Sequence, residues 1–270
     1  MLEAIANQSE DEPHWKLQRR RHITGSDVFK FLPLDVFMER GWWMEQWMAR
    51  DSEGNDASLA WLRRDIFDRK LTGRELEFSN PTQVEWGRRE EDHLRDRFAK
   101  YSGLEVGKDH TLYRNPRWPY IATSLDAWVM RRHHWRGLAE PIMFVKPEQV
   151  EEAANALPLD EAVLLEMKTT SDYGVTAWLN GKRNQPRSKI IAGRFTPQAP
   201  GVPIYYLPQV LTQMSICGIT HNLVVCHGGM SNMTAHCVQY DPTWDEVLDI
   251  VNAEVRDNIE DIRSVLDAKE

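Results

Sequence analysis

The stretch VLLEMK, residues 163–168, is typical of a buried β-strand in which two charges interrupt an apolar run. Because side chains two positions apart on a strand share a face, Glu166 and Lys168 point one way and the intervening apolar side chains point into a core. An unpaired buried charge is costly, so both groups need partners. The pair is therefore either a structural ion pair at a sheet edge or part of a functional site.

An acidic residue two positions before a lysine is weak evidence by itself. The same spacing recurs at Asp68 and Lys70 and at Asp267 and Lys269, both on expected helices. Only the strand context distinguishes Glu166.

A second strand is expected in YIATSLDAWV, residues 120–129, where alternation places Ser124 and Asp126 on one face. Asp126 is either a turn-forming residue at a strand end or one of two carboxylates on adjacent strands. In the second case Asp126 and Glu166 together could hold Mg²⁺, which prefers oxygen ligands.

The helix WGRREEDHLRDRFAKYSG, residues 86–103, carries one charged residue, Glu91, in its apolar stripe. Glu91 therefore needs a partner inside the protein, and a metal site beside the helix would supply one. The other charges of this helix, including Arg95, are interpreted as solvated.

A helix predicted at about 205–217 places Gln209 and Gln213 on one face. A glutamine near the helix start could position a water or a substrate group. The spacing alone favours an ordinary polar surface.

The segment HWKLQRRRHITGSDV, residues 14–28, carries a run of bases into a predicted short helix. Free N–H groups at that helix N-terminus, together with Ser26, would form an anion site. The alternative is a basic turn without a ligand.

Composition excludes several classes of protein. Of the 270 residues, 41% are hydrophobic and 27% charged, which is ordinary for a globular chain and excludes fibrous or wholly disordered proteins. No apolar run approaches the roughly 20 residues of a membrane span, and no secretory leader is visible. The three cysteines, Cys217, Cys226 and Cys237, favour a reducing compartment such as the cytoplasm.

The net charge of −8 argues mildly against nucleic acid, but the charge is unevenly distributed. Residues 1–14 carry four acids and no lysine or arginine, and residues 241–270 carry ten acids against three bases. The intervening chain is therefore slightly basic, and its charge is compatible with DNA binding. We expect an acidic, flexible tail over 1–14 and a single domain over 15–270 with an insertion at about 131–162.

The order of predicted elements indicates a mixed α/β (α+β) fold with a central mixed β-sheet flanked by helices. The last helix shows the clearest pattern, because one apolar stripe follows it from end to end. Its members are residues 244, 247, 248, 251, 255, 259, 262 and 266.

Taken together and in this order, these segments resemble the phage lambda exonuclease and YqaJ-like viral recombinase family, within the PD-(D/E)XK nuclease superfamily. The resemblance covers roughly half of the chain, and the joint order of its motifs is specific. The matching residues are Trp15, Arg19, Ile23, Thr24, Ser26, Trp86, Gly87, Glu91, Ser124, Asp126, Glu166, Lys168, Gln209, Val210 and Met214.

The resemblance implies a restriction-endonuclease-like core and a role for each matched residue. Asp126 and Glu166 would bind metal with the backbone carbonyl of Met167, Lys168 would orient or activate the attacking water, and Glu91 would serve the metal. Gln209 would support the water or the scissile phosphate. The residues matched to a DNA 5′-phosphate contact are Arg19, Ser26 and Ser124.

The activity implied is a Mg²⁺-dependent 5′→3′ exonuclease on linear double-stranded DNA, with Mn²⁺ as a possible substitute. The implied partners are DNA ends, further copies of the chain in a ring such as a trimer, and a single-strand annealing protein; no membrane is implied. An endonuclease with the same metal site and a non-catalytic DNA-binding relative are the alternatives. Iron–sulfur relatives need four cysteines, so no cluster is expected.

A basic loop over 181–203 is expected to touch the DNA backbone, since it carries bases with no intervening acid. The alternatives are a merely solvated loop or a contact between protomers. The bases are Lys182, Arg183, Arg187, Lys189 and Arg194.

Overall fold

The structure is a computed structural model that describes residues 2–40, 57–74, 81–132, 147–170, 202–203, 206–228 and 232–269. The bases of the predicted 181–203 loop lie outside these residues, so their contact with DNA stays a prediction. The described strands are β1 (Glu3–Asn7), β2 (Ile23–Thr24), β3 (Glu105–Lys108), β4 (Thr111–Arg114), β5 (Ile121–Ser124), β6 (Ala127–Met130), β7 (Ala162–Thr170), β8 (His221–Gly228) and β9 (Asn232–Gln239).

The described helices confirm most of the elements expected from the sequence. They are α1 (Glu12–Arg20), α2 (Leu34–Glu39), α3 (Ala57–Thr72), α4 (Pro81–Ser102), α5 (Pro147–Asn155), α6 (Leu207–Cys217) and α7 (Trp244–Asp267), with a 3₁₀ turn at Val28–Phe31. Helix α6 ends at Gly218, whose φ of 68° suits a residue without a Cβ. The buried residues of α7 are the stripe read from its sequence.

A five-stranded mixed sheet, ordered β3-β6-β7-β8-β9, forms the centre of the fold. Strand β7 pairs antiparallel with β6 and parallel with β8, so it is an interior strand with both neighbours present. The predicted fold class, a mixed sheet flanked by helices, is confirmed. No described helix is both long enough and apolar enough to cross a membrane.

A second sheet of four strands, ordered β1-β4-β5-β2, contains the N-terminus. Strand β1 pairs antiparallel with β4, and Ile5 packs beside Trp15 and Leu112. The prediction of a flexible acidic tail over residues 1–14 is therefore wrong, because the backbone of 3–7 completes a sheet and α1 begins at Glu12.

The chain passes from one sheet to the other between β5 and β6. The sequence predicts one strand in residues 120–129, but β5 ends at Ser124 in the four-stranded sheet and β6 begins at Ala127 in the five-stranded sheet. Leu125 and Asp126 form the corner. The argument that alternation places Ser124 and Asp126 on one face therefore fails, although both residues lie at the junction of the two sheets.

Two hydrophobic cores cover the two faces of the central sheet. One contains Leu164 of β7 with the apolar faces of α6 and α7. The other contains Val163 and Leu165 of β7 together with Val150 and Leu157. Part of the predicted 131–162 insertion is therefore integral to the fold, because α5 covers one face of the sheet.

Candidate active site

Strand β7 carries Glu166 and Lys168 at the point where β6 no longer pairs with it. The pairing between β6 and β7 ends at Ala127 opposite Leu165. Glu166 is only 1% exposed, and it shares a face with Leu164 of the first core. The alternation read from VLLEMK is confirmed: Val163 and Leu165 point to the opposite core.

Asp126 lies beside this end of β7. Extending the β6–β7 register by one residue sets Asp126 opposite Glu166. The Met167 N–H donates to Asp126 Oδ2 at 2.8 Å, in place of a bond to a strand neighbour. Since the N–H and C=O of one strand residue point to the same side, the Met167 carbonyl lies on the side of β7 where Asp126 is found.

Helix α6 supplies the amide partner of the charged pair. Lys168 Nζ donates to Glu166 Oε1 and, at 3.2 Å, to Gln209 Oε1. Gln209 Nε2 in turn donates to Glu166 Oε1 at 2.7 Å. The ammonium also lies 4.8 Å from the centre of the Tyr206 ring. Glu166, Lys168 and Gln209 thus form one hydrogen-bonded cluster, so the structure brings these three predicted residues together.

Gln213, one turn further along α6, binds the other oxygen of the same carboxylate. Its Nε2 donates to Glu166 Oε2 at 2.6 Å and to the Ser124 carbonyl at 3.2 Å. Asn222 of β8 donates to Gln213 Oε1 at 3.0 Å. The interpretation of Gln213 as polar surface is wrong, because its side chain is 1% exposed and faces the sheet.

Glu91 of α4 approaches the cluster from another side. Its Oε1 accepts a bond of 3.0 Å from Arg95, which also pairs with Asp92. Arg95 is 4% exposed, so its interpretation as a solvated charge is wrong. Burial, and to a smaller extent the charge of Glu166, raise the pKa of Glu91.

The electrostatics of the cluster show an excess of negative charge. Burial and the neighbouring Glu166 carboxylate raise the pKa of Asp126 well above its ordinary value, against the effect of Lys168. Although burial disfavours its charge, the carboxylates of Glu166 and Asp126 raise the pKa of Lys168. The charge of Glu166 therefore disfavours the charged forms of Asp126 and Glu91, and a cation beside these carboxylates would relieve the repulsion.

The oxygen atoms at this site fit a hard divalent cation. Asp126 and Glu166 present carboxylates, and the Met167 carbonyl points to the same side. Among the described residues no group of three or more His, Cys, Asp or Glu side chains could hold a metal ion, so Glu91 is not gathered with the other two carboxylates here. Mg²⁺ fits such a site, since it commonly uses one or two carboxylates and retains waters.

Ser26 and Ser124 lie at the ends of neighbouring parallel strands. Strand β2 pairs with β5 at Thr24 opposite Ala122, and the Gly25 N–H donates to the Ala122 carbonyl at 3.0 Å. A Cβ at Gly25 would lie 3.0 Å from Thr123 Oγ1 and 3.7 Å from the Gln209 carbonyl. Glycine therefore allows the turn that carries Ser26 to pack against β5 and the start of α6.

Arg19 lies in the last turn of α1, with its guanidinium 4.6 Å from the centre of the Trp15 ring. Lys70 of α3 donates to the Arg19 carbonyl at 3.1 Å and lies 3.5 Å from Asp27 Oδ2. Lys70 therefore connects the end of α1 to the residue after Ser26.

The predicted helix N-terminus beside Ser26 is not formed. Only a four-residue 3₁₀ turn follows, and the Asp27 side chain does not cap it. The Asp27 carboxylate instead accepts from Thr24 and Lys30. An anion at Ser26 would therefore depend on side chains rather than on a helix dipole.

Four residues that surround the site were assigned no role in it by the sequence analysis. Arg95 follows Glu91 by four residues, a spacing that pairs opposite charges on a helix, and Gln213 follows Gln209 by the same spacing. Tyr206 directly precedes α6. Asn222 has no local signal, because its partner lies on a different element.

Comparison with known proteins identifies relatives of this chain. The model of a family described as a YqaJ-like viral recombinase domain matches residues 14–220, which is more than half of the chain. This confirms the resemblance found in the sequence motifs. No curated protein matches the sequence.

Three solved structures share the fold. LHK-Exo in complex with dAMP is 16% identical, with a TM-score of 0.55 over 93% of this chain and 95% of that chain. The alkaline exonuclease LHK-Exo from Laribacter hongkongensis is 16% identical, with a TM-score of 0.55 over 95% and 97%. A phage-related exonuclease from Haemophilus somnus 129PT is 11% identical, with a TM-score of 0.51 over 90% and 95%.

Proposed function

This chain belongs to the YqaJ-like viral recombinase family, and from that premise we propose that it is a Mg²⁺-dependent 5′→3′ exonuclease acting on linear double-stranded DNA. Its family, together with the fold it shares with alkaline exonucleases, identifies it as a nuclease that acts on DNA. The metal, the polarity and the production of 3′ overhangs for single-strand annealing are the proposal.

The observation that carries the proposal is the convergence of separate elements on one carboxylate. Glu166 accepts from Lys168, Gln209 and Gln213, and Asp126 is held beside it by the Met167 N–H. Such a concentration of buried polar groups is costly to fold, which favours a functional site over an ordinary edge ion pair.

Asp126, Glu166 and the Met167 carbonyl would hold Mg²⁺, or Mn²⁺ in its place, and Glu91 would act through the surrounding waters. When bound, the cation supplies a Lewis acid for the scissile phosphate and lowers the pKa of a bound water. Lys168, held by Glu166 and Gln209, orients the attacking water with its remaining N–H. Gln209 fixes Lys168 and approaches the same water or the phosphate.

The test compares end-labelled linear duplex with covalently closed circular DNA, each with Mg²⁺ and with EDTA. We expect Mg²⁺-dependent release of label-bearing nucleotides from linear DNA and no change in the circle. Nicking or linearisation of the circle would identify an endonuclease. DNA binding without cleavage of either substrate would identify a non-catalytic relative.

The proposal also predicts a preference at the 5′ end. An exonuclease that advances one nucleotide at a time must hold each new end in register, and Arg19, Ser26 and Ser124 are proposed to bind its phosphate. Arginine can bind phosphate through two donors. We expect duplexes with a 5′-phosphate to be degraded about tenfold or more faster than those with a 5′-hydroxyl, as loss of one charge-assisted contact predicts.

Arg19→Ala is expected to remove most of that difference while leaving slow Mg²⁺-dependent cleavage. The matched control is Lys16→Ala on the same helix, since Lys16 forms an exposed pair with Glu12. This control should keep the full preference for a 5′-phosphate. Equal rates on both kinds of end in the unmodified protein would contradict the 5′-phosphate site and favour the endonuclease.

Further features are proposed from the family alone. The protein would assemble with copies of itself into a ring, such as a trimer, around duplex DNA and pass the 3′-ended strand to a single-strand annealing protein. It would act in the cytoplasm of a bacterial or phage-infected cell. The bases of the 181–203 loop would contact the DNA backbone.

A further inference from the structure

Two buried amides form a directed chain of hydrogen bonds that ends on Glu166. Asn222 of β8, which is 0% exposed, donates through Nδ2 to Gln213 Oε1 at 3.0 Å. Gln213 then donates through Nε2 to Glu166 Oε2 at 2.6 Å. We call this chain the amide relay.

The direction of the relay is fixed by its two ends. A carboxylate and a backbone carbonyl only accept hydrogen bonds, so Glu166 Oε2 and the Ser124 carbonyl both require the NH₂ end of Gln213. At the other end, the Asn222 NH₂ requires the Gln213 oxygen. Rotating the Gln213 amide by half a turn would place oxygen against oxygen at one end and NH₂ against NH₂ at the other.

Asn222 donates a hydrogen bond through its NH₂ group, but its side-chain oxygen accepts none within the part of the chain that the structure describes. Its Oδ1 is buried and has no hydrogen-bond partner among the described residues. A buried unsatisfied acceptor is destabilising, and an apolar residue of similar size would avoid it. The stability of the fold therefore does not favour asparagine at this position. We attribute its presence to the hydrogen bond that its NH₂ group donates to Gln213.

The relay also connects the elements that surround the carboxylate. Asn222 lies on β8 directly opposite Leu164 of β7, Gln213 lies on α6, and Ser124 ends β5. Through Gln213, the orientation of the Glu166 carboxylate is coupled to three elements besides its own strand. Lys168 and Gln209 hold only the other oxygen, Oε1.

We propose that Gln213 and Asn222 are positioning residues that fix the plane of the Glu166 carboxylate for a divalent cation, with Asn222 setting the direction of the Gln213 amide. The inference rests on the proposed function, because it assigns Glu166 to the cation. Partners that orient a metal-binding carboxylate typically contribute 10- to 100-fold to metal affinity.

The direct test is Mn²⁺ binding to the full chain without DNA, measured by electron paramagnetic resonance and calorimetry. Gln213→Met and Asn222→Leu keep approximate volume and remove the relay, and each is expected to weaken Mn²⁺ binding by about tenfold or more. The Mg²⁺ concentration that half-saturates cleavage should rise by a similar factor. The rate at saturating Mg²⁺ should fall less.

The double variant separates positioning from general stabilisation. Once the Gln213 amide is removed, Asn222 has nothing to orient, so Asn222→Leu should add no further loss of Mn²⁺ affinity to Gln213→Met. If the two substitutions acted through independent structural effects, their losses of Mn²⁺ affinity would add in the double variant. Asn222→Val provides a second variant without a hydrogen-bond donor, and we expect it to weaken Mn²⁺ binding as well.

The matched control is Thr212→Val on the same helix. Thr212 is buried and accepts from Trp244 Nε1 at 3.2 Å, away from Glu166. This change should lower the melting temperature without altering Mn²⁺ affinity.

Unchanged Mn²⁺ affinity in folded Gln213→Met and Asn222→Val proteins would overturn the relay. The relay would also be overturned if the unmodified protein did not bind Mn²⁺, or if Glu166→Gln bound it equally well. If Mn²⁺ binding depended on the relay but linear DNA were not cleaved, the proposed function would fail and the relay would stand.

Discussion

Asp126→Asn and Glu166→Gln are each expected to abolish cleavage of linear duplex DNA while DNA binding survives. Each substitution keeps the shape of the side chain and removes one negative charge from the proposed cation site. Asparagine at 126 can still accept from the Met167 N–H through its oxygen, the bond that Asp126 makes at 2.8 Å, so the corner between β5 and β6 should be kept. We expect the loss of rate to exceed the roughly 10³-fold that removal of one preorganised donor costs.

The measurement is single-turnover release of nucleotides from a 5′-phosphorylated duplex, alongside DNA binding in EDTA. Glu105→Gln is the matched control, because Glu105 lies on the edge strand β3 of the same sheet and forms an exposed pair with Arg132. It changes the net charge by the same amount and should cleave normally. Near-normal cleavage by Asp126→Asn would exclude Asp126 as a metal ligand.

The sequence predicts best where a single period decides the structure. The stripe of α7 follows from one periodicity, and every position in it is buried. The two faces of β7 follow from alternation, because an interior strand packs on both sides and only Glu166 and Lys168 break its apolar run. Both predictions depend on residues close in the chain.

Prediction fails where the partner of a segment is distant. Strand β1 lies within residues 1–14, a segment with four acids and no lysine or arginine that resembles a tail, and only pairing with Thr111–Arg114 makes it a strand. Likewise, the sequence around Leu125 is continuously strand-like although the chain changes sheets there. Alternation of side chains reports local backbone shape and carries no information about which strand lies alongside.

The same distinction between local signals and distant partners applies to the residues of the site. Glu166, Asp126 and Gln209 could be predicted to lie together because their motifs match a family. The buried amide partners could not be predicted, since the polar groups that Gln213 meets, Glu166 on β7 and Asn222 on β8, lie on elements distant in the sequence. Arg95 differs, because its partners Glu91 and Asp92 precede it by one turn of the same helix, so the spacing predicts these ion pairs although not their burial.

Replacement of Lys168 is expected to slow cleavage by about 10³-fold while cation binding is retained. In Lys168→Ala the ammonium that donates to Glu166 and Gln209 is lost, and with it the positive charge proposed to orient the attacking water and to balance charge developing at the phosphate. The carboxylates that would hold the cation are left in place. Removing a neighbouring positive charge should leave Mn²⁺ affinity equal or greater.

The two readouts distinguish Lys168 from the metal ligands. Lys168→Ala should lose single-turnover rate at saturating Mg²⁺ and keep Mn²⁺ binding, whereas Glu166→Gln should lose both. Lys108→Ala is the matched control, since Lys108 pairs with Asp92 at the exposed surface and should change neither. Arginine at 168 would restore the charge but present it as a planar fork in place of a compact ammonium, so we expect Lys168→Arg to recover little of the rate. Full recovery would mean that the site needs only a positive charge near Glu166, and orientation of the water by Lys168 would be wrong.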